Sequence, residues 1–187
     1  MNEAIVRPIP NGELLAKLDA VKKLFSNWIF PSIESSYRAT KQSGGGTPLV
    51  VFILISCAID VIAGFYCGRT SYKGLGKQYK KFIDDYFPKK YSSKKVYENI
   101  RCSLVHNFIV GPNMALTHGN PQVHLITQNG VDFKNLENFF EDFKNAVAAY
   151  YRDLESSEKL QEKFLQRFNK FKISAVQIFM FSHDRDA

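Results

Sequence analysis

The chain is poor in the residues that most often build small catalytic or metal sites. Its 187 residues include one tryptophan, three methionines, three cysteines and four histidines. Cys57, Cys67 and Cys102 are odd in number and follow no metal-type spacing. That pattern argues against a disulfide framework and for free thiols, buried and inert, in a reducing, cytoplasmic setting. His118 and His124 flank a turn signal but lack a third or fourth ligand, so no metal centre and no cofactor is expected. The glycine run "SGGGTP" (43–48) is not followed by Gly-Lys-Ser/Thr and no strand pattern precedes it, which excludes a phosphate loop; "GLG" at 74–76 is no dinucleotide fingerprint for similar reasons. The N-terminus "MNEAIVRPIPNGELL" has no charged start leading into an apolar run, so no secretory signal is expected. No internal repeat is found. The most apolar segment, "PLVVFILISCAIDVIAGFYCG" (48–68), approaches the roughly 20 residues a membrane span needs. It carries Ser56 near its middle and Asp60 in its second half, and a carboxylate at that depth is costly. A buried core helix is expected, with no membrane contact.

What is plentiful is apolar and basic. The chain is 45% hydrophobic and 23% charged, which describes a globular domain able to bury a core. Phenylalanine and tyrosine number 16 and 9. The net charge of +7 is unevenly spread: between Arg69 and Arg101 stand ten basic residues and only three acids, while the remainder of the chain is neutral. Tyr66, Tyr72, Tyr79, Tyr86, Tyr91 and Tyr97 are interleaved with this basic stretch. Positive charge mixed with aromatic faces suits a polyanion that carries bases, and Lys77, Lys80, Lys81, Lys94 and Lys95 are the candidate RNA contacts. A solvated basic surface is the competing reading.

Apolar periodicity organises the chain as a mainly α, helical bundle in one domain. Residues 1–10 read as an arm, 11–172 as the domain, and 173–187 as an apolar tail packed back or placed at an interface. A first helix runs from Asn11 with apolar positions Leu14, Leu18, Val21 and Phe25, bent or interrupted at Pro31. A second covers about 48–66, and a short third ends at Pro88. A fourth begins at Ser92 or Ser93. Met114 and Leu116, then Val123 and Leu125, alternate around "HGNPQ" and predict one small β-hairpin after that helix. A long amphipathic helix follows over 131–155, capped by Asp132, and a last one over 156–171.

The fourth helix holds the most informative stretch, "YENIRCSLVHNF" (97–108). At about 100° per residue, Val96, Ile100, Leu104 and Phe108 form a buried stripe. Arg101 and His106 both fall off that stripe, about 140° apart around the axis and about 7.5 Å along it, too far to touch as neighbours but able to reach one ligand. Asp60, an acid in an apolar helix, requires a hydrogen bond or a charged partner: Arg101 is one candidate, a neighbouring backbone group another.

An arginine, four intervening residues and a histidine on a late helix of a small bundle resembles the R-x4-6-H signature of the HEPN superfamily. "KKFIDDYFP", then "KVYENIRCSLVHNF", then a polar turn region and "LENFFEDFKNAV", are similar to bacterial HEPN-type proteins across about 48–155. The resemblance implies a HEPN-like bundle and a metal-independent endoribonuclease acting as a homodimer, in toxin–antitoxin or anti-phage defence. It implies His106 as general base or acid and Arg101 as clamp on the scissile phosphate. Where the family commonly carries Asn or Asp directly after the arginine, Cys102 stands here; Asn107 follows the histidine and is placed to orient it. Two alternatives go with the same residues. One is a non-catalytic module binding RNA, nucleotide or a partner protein such as an antitoxin. The other is a helical dimeric interaction protein in which Arg101 and His106 serve only the contact.

Overall fold

A computed structural model describes residues 11–43, 48–71 and 73–171. The expected N-terminal arm, the C-terminal tail, Tyr72 and the centre of the glycine loop lie outside the described residues. Within them the protein is mainly helical, with six helices and a small three-stranded sheet.

Helix α1 comprises Asn11–Leu24, a π-helical turn Phe25–Ile29 and Phe30–Ser43. The helix continues without a break through Pro31, where a bend or an interruption is expected. The wide turn just before it, closed by the Phe30 N–H on the Phe25 carbonyl, makes room for the ring and for its missing donor. Helix α2 (Pro48–Cys67) is the central rod and packs against all the others: α3 (Leu75–Tyr86), α4 (93–107), α5 (Leu136–Ser156) and α6 (Glu158–Phe171). Its inner faces bury Val51, Phe52, Ile55, Ile59, Ile62 and Phe65 completely. Phe52 stacks on Phe139 of α5 at 5.5 Å, and Phe65 on Phe164 of α6 at 5.0 Å. Each such side chain withdrawn from water stabilises by about 1.5–3 kcal/mol. By length and composition alone α2 could cross a membrane, yet 61% of its apolar window is buried by the rest of the chain. The feature that sets α2 apart is its outer stripe. Val50, Leu54, Cys57 and Val61 follow one another at three- and four-residue steps on a face that is not fully covered.

The sheet differs from the expected hairpin. Its strands are β1 (Met114–Thr117), β2 (Thr127–Gln128) and β3 (Val131–Asn135), in the order β1-β3-β2. β1 pairs with β3 in parallel, and only β2 and β3 form a hairpin. The turn is Asn129-Gly130, both at positive φ (51° and 76°), the geometry that a two-residue hairpin loop demands. Val123 and Leu125 fall in irregular chain rather than in a strand. The long helix therefore begins at Leu136, not near 131, and its cap is Asn135, whose side chain accepts from the Asn138 N–H at 3.2 Å. Asp132 instead accepts from Lys95 and from Thr127, both at 2.6 Å, and ties the sheet to α4.

Candidate functional site

Helix α4 starts at the Ser92 cap, whose hydroxyl accepts from the Lys95 N–H, and runs as Ser93–Lys95, a π-helical segment Val96–Cys102, and Ser103–Asn107. The π segment has a traceable cause. In an α-helix the Ser103 N–H would bond to the Asn99 carbonyl. Here that carbonyl accepts instead from the Gly111 N–H at 2.9 Å, while the Asn99 side-chain amide donates to the Pro112 carbonyl at 3.0 Å. The Ser103 N–H turns to the carbonyls of Glu98 and Ile100, and the Ser103 hydroxyl also donates to Glu98 at 3.0 Å. The loop after α4 folds back, claims one carbonyl and opens the helix by one residue. Gly111 is what permits it: a Cβ there would lie 2.6 Å from the Cα of Asn99. Such one-turn π-bulges occur frequently at functional sites.

The consequence falls on Arg101 and His106. Straight α-geometry keeps them apart, but Arg101 Nη1 lies 3.2 Å from His106 Nε2. The wider turn rotates the chain less per residue than an α-helix does, and the long arginine stem spans the rest. Guanidinium nitrogens only donate, so in this contact Nε2 is the acceptor and the imidazole proton sits on Nδ1. On its other side Arg101 donates from Nε to Asp60 Oδ2 at 2.9 Å, with each side chain 16% exposed. Asp60, Arg101 and His106 thus form a line from the bundle wall to the solvent, where His106 is exposed. Burial works against the charge on Arg101, yet the Asp60 carboxylate outweighs it and lifts the guanidinium above its ordinary range. The second oxygen of Asp60 is buried with no hydrogen-bond partner among the described residues.

Three further groups surround this line. Tyr97, four residues before Arg101, places its ring 5.9 Å from the guanidinium. The Tyr97 hydroxyl is pushed up by burial and by the thiol of Cys102, which also acts on Arg101. Tyr97 packs directly on Gly76 of α3, where a Cβ would fall 2.6 Å from the ring. Cys57, expected to be buried, is exposed on the outer stripe of α2 one turn from Asp60; burial of its surroundings and then the Asp60 charge raise its thiol above the usual range. Beside it a shallow apolar hollow of about 270 Å³ is lined by Trp28, Ile33, Leu54, Cys57, Ala58 and Val61. A cavity of about 460 Å³, lined by Glu34, Tyr37, Arg38, Leu136, Glu137 and Phe140 among others, shares no residue with the Arg101 line.

Other expected residues scatter. Phe108, placed in the buried stripe with Val96, Ile100 and Leu104, is 65% exposed. The helix ends at Asn107, and Phe108 takes a left-handed conformation (φ 55°) that throws its ring outward beside Ile109, 66% exposed. Asn107 is exposed at the same end. Of the candidate RNA lysines, Lys81 is paired with Asp85 at 2.7 Å and Lys95 with Asp132; Lys80 lies over the Tyr97 ring at 5.9 Å; Lys77 and Lys94 are exposed. Of the interleaved tyrosines, Tyr66, Tyr79 and Tyr91 are buried in the core and offer no face for a base to stack on. Tyr97 as a site residue was legible from its i−4 spacing to Arg101. The role of Cys57 and the Gly111 contact had no local signal.

A second polar cluster escaped the sequence reading. His124 Nδ1 accepts from the Asn135 N–H at 3.1 Å, which leaves Nε2 carrying the proton, 3.2 Å from Asp142 Oδ2 and 3.0 Å from the Tyr91 hydroxyl. Tyr91 itself donates to Asp142 at 2.8 Å. The cluster holds the irregular chain before β2 against α5. Compared with protein-family models, with curated proteins and with solved structures, the chain has no match in any of the three.

Proposed function

We propose that the protein is a HEPN-like, metal-independent endoribonuclease that works as a homodimer, with His106 as proton carrier and Arg101 as phosphate clamp. The observation that carries this reading is the 3.2 Å contact between Arg101 and His106, braced from behind by Asp60. A guanidinium held at a fixed angle beside an imidazole at the protein surface suits a reaction that moves a proton next to a phosphate.

Arg101 occupies the His106 Nε2 lone pair in the free protein. An RNA phosphate is a stronger acceptor for a guanidinium, and its arrival draws Nη1 away. The freed Nε2 takes the proton of the ribose 2′-hydroxyl, the 2′-oxygen bonds to phosphorus, and the bond from phosphorus to the 5′-oxygen breaks. The products are a 2′,3′-cyclic phosphate and a 5′-hydroxyl, the latter taking its proton from His106 of a second copy or from water. Arg101 holds the charge that builds on the non-bridging oxygens, while Asp60 keeps the guanidinium plane in place. Exposed Phe108 and Ile109, with the outer stripe of α2 and Trp28, provide apolar area next to Arg101 for a second copy to cover.

The test is cleavage of labelled RNA with excess chelator by the wild type, His106→Ala and Arg101→Ala, with the oligomeric state of each measured. Both variants are expected to lose cleavage at an unchanged mass, and products are expected to carry a 2′,3′-cyclic phosphate. Cleavage surviving in His106→Ala overturns the reading. The exposed apolar residues around the site favour one alternative, an interaction module without catalysis. In that case the wild type is dimeric but inert toward RNA, and Arg101→Ala dissociates it.

A further inference from the structure

A small cavity of about 50 Å³ opens where the start of α4 meets the sheet. Its polar lining is Lys90, Ser92, Lys95, Thr127, Asp132 and Lys134. Lys134 is the unusual member. It sits on β3 and is 5% exposed, whereas lysine is almost never fully buried unless paired. Of the three protons its ammonium can donate, one reaches the Phe133 carbonyl at 3.3 Å, and the ammonium lies 5.8 Å from the Tyr91 ring. No ion pair to Lys134 forms among the described residues. Burial holds its ammonium below the ordinary lysine range; Asp132 partly restores it and Lys95 opposes.

The one carboxylate in the lining makes its hydrogen bonds to other groups and acts on Lys134 only through its charge. Asp132 Oδ2 accepts from Lys95 at 2.6 Å and Oδ1 from the Thr127 hydroxyl at 2.6 Å, so both of its oxygens are engaged. Counting Lys90, Lys95 and Lys134 against Asp132, the cavity carries two uncompensated positive charges. Of the three lysines only Lys134 is buried, with Lys90 exposed at the rim, and a buried charge in a hollow is stabilised by a ligand of the other sign. One water needs about 10–15 Å³ of such space, so the cavity has room for roughly four oxygen-sized groups, the number a tetrahedral oxyanion brings. The Ser92 and Thr127 hydroxyls add donors suited to phosphate oxygens.

We propose that this cavity is a phosphate-binding site, separate from Arg101 and His106, in which Lys134 and Lys90 hold the anion beside the Lys95–Asp132 pair. The phosphate is either free or terminal, as in inorganic phosphate or a mononucleotide, or a backbone phosphate of RNA; the chemistry of recognition is the same. The site goes beyond the proposed endoribonuclease reading and does not depend on it.

Titration with inorganic phosphate at low chloride, followed by calorimetry and ³¹P NMR, tests it. Saturable binding to the wild type is expected, weakened roughly tenfold or more in Lys134→Met, as for removal of a charge-assisted hydrogen bond. Lys90→Gln, at an exposed position that the fold does not need, is expected to weaken binding as well and keeps the test open if Lys134→Met misfolds. Lys159→Gln, at an exposed position on α6 away from both the cavity and Arg101, is expected to bind phosphate as the wild type does. Absence of saturable binding up to about 10 mM phosphate, ten times the concentration at which about 4 kcal/mol of binding half-fills a site, or binding lost in Arg101→Met but kept in Lys134→Met and Lys90→Gln, overturns the proposal. Titration with AMP and with a 2′-O-methyl RNA then separates the sources. RNA affinity that falls in Lys134→Met, with a salt slope smaller by about 0.7, identifies a backbone phosphate; AMP binding lost with RNA affinity unchanged identifies a terminal one.

Discussion

Gly111→Ala perturbs the site from outside it. The added methyl carbon would lie 2.6 Å from the Asn99 Cα and 2.7 Å from its Cβ, and a backbone atom cannot step aside as a flexible side chain can. Gly111 does not have a left-handed φ, so the cost is contact rather than backbone strain. Overpacking of this kind costs about 1–3 kcal/mol. If the loop lifts instead, two hydrogen bonds go: Gly111 N–H to the Asn99 carbonyl and the Asn99 amide to the Pro112 carbonyl. At about 1 kcal/mol each, partly offset when the Ser103 N–H recovers the Asn99 carbonyl, the lifted state costs about 1 kcal/mol net. Either route predicts a loss of about 1–3 kcal/mol, read as a fall of about 1 M in the urea midpoint with an unchanged slope. The structural consequence is sharper than the energetic one. With its α-bond restored, α4 closes its π-bulge and Arg101 rotates away from His106. Amide exchange at Ser103 is expected to slow, and the His106 ring nitrogen is expected to lose the Arg101 signature in ¹⁵N NMR. A Gly111→Ala protein as stable as wild type within about 0.5 kcal/mol, with the His106 spectrum unchanged, would refute the claim that this loop opens the helix.

Three other outcomes follow from the same contacts. Asp60→Asn keeps an oxygen for Arg101 but removes the charge from a mostly buried pair; a double-mutant cycle with Arg101→Met is expected to give a coupling of about 1–3 kcal/mol, between the values for exposed and fully buried pairs, and a coupling near zero refutes the bracing role. Asp132 is held below the ordinary carboxylate range by the Lys95 ammonium and then by the Thr127 hydroxyl, so its contribution is complete above the unfolded value of about 4 and disappears as pH falls through the lower folded one; the stability gap between wild type and Asp132→Asn is expected to be flat above about pH 5 and to close in stronger acid. Phe108→Gly relieves a non-glycine left-handed residue and is expected to raise monomer stability by about 1 kcal/mol while weakening self-association, because the exposed ring is lost; analytical ultracentrifugation and urea unfolding read the two effects separately.

Most of the helices are readable from the sequence because amphipathic periodicity is local. The segment 48–67 with its near-continuous apolar run, and Phe139, Phe143, Val147 and Tyr150 at helical steps, need no partner to be recognised. The alternation at Met114–Leu116 and Val123–Leu125 competes with a stronger signal, the Asn129-Gly130 turn, whose second strand buries Asp132, Lys134 and Asn135. A buried lysine and asparagine look like surface to any pattern based on hydrophobicity. Arg101 and His106 stood out from the sequence, as did the need of Asp60 for a partner.

The contact between Arg101 and His106 was beyond the sequence, because it depends on a carbonyl taken by a loop twelve residues away. The sequence by itself determined that Arg101 and His106 stand off the stripe of Val96, Ile100 and Leu104, since that follows from about 100° per residue and the cost of burying charge. Only the tertiary structure decided that Asp60 meets Arg101, that Gly111 opens α4, that Cys57 faces outward and that Lys134 ends inside a basic cavity. Each of these joins residues far apart in the chain, and the energies that select them arise only once the elements have packed.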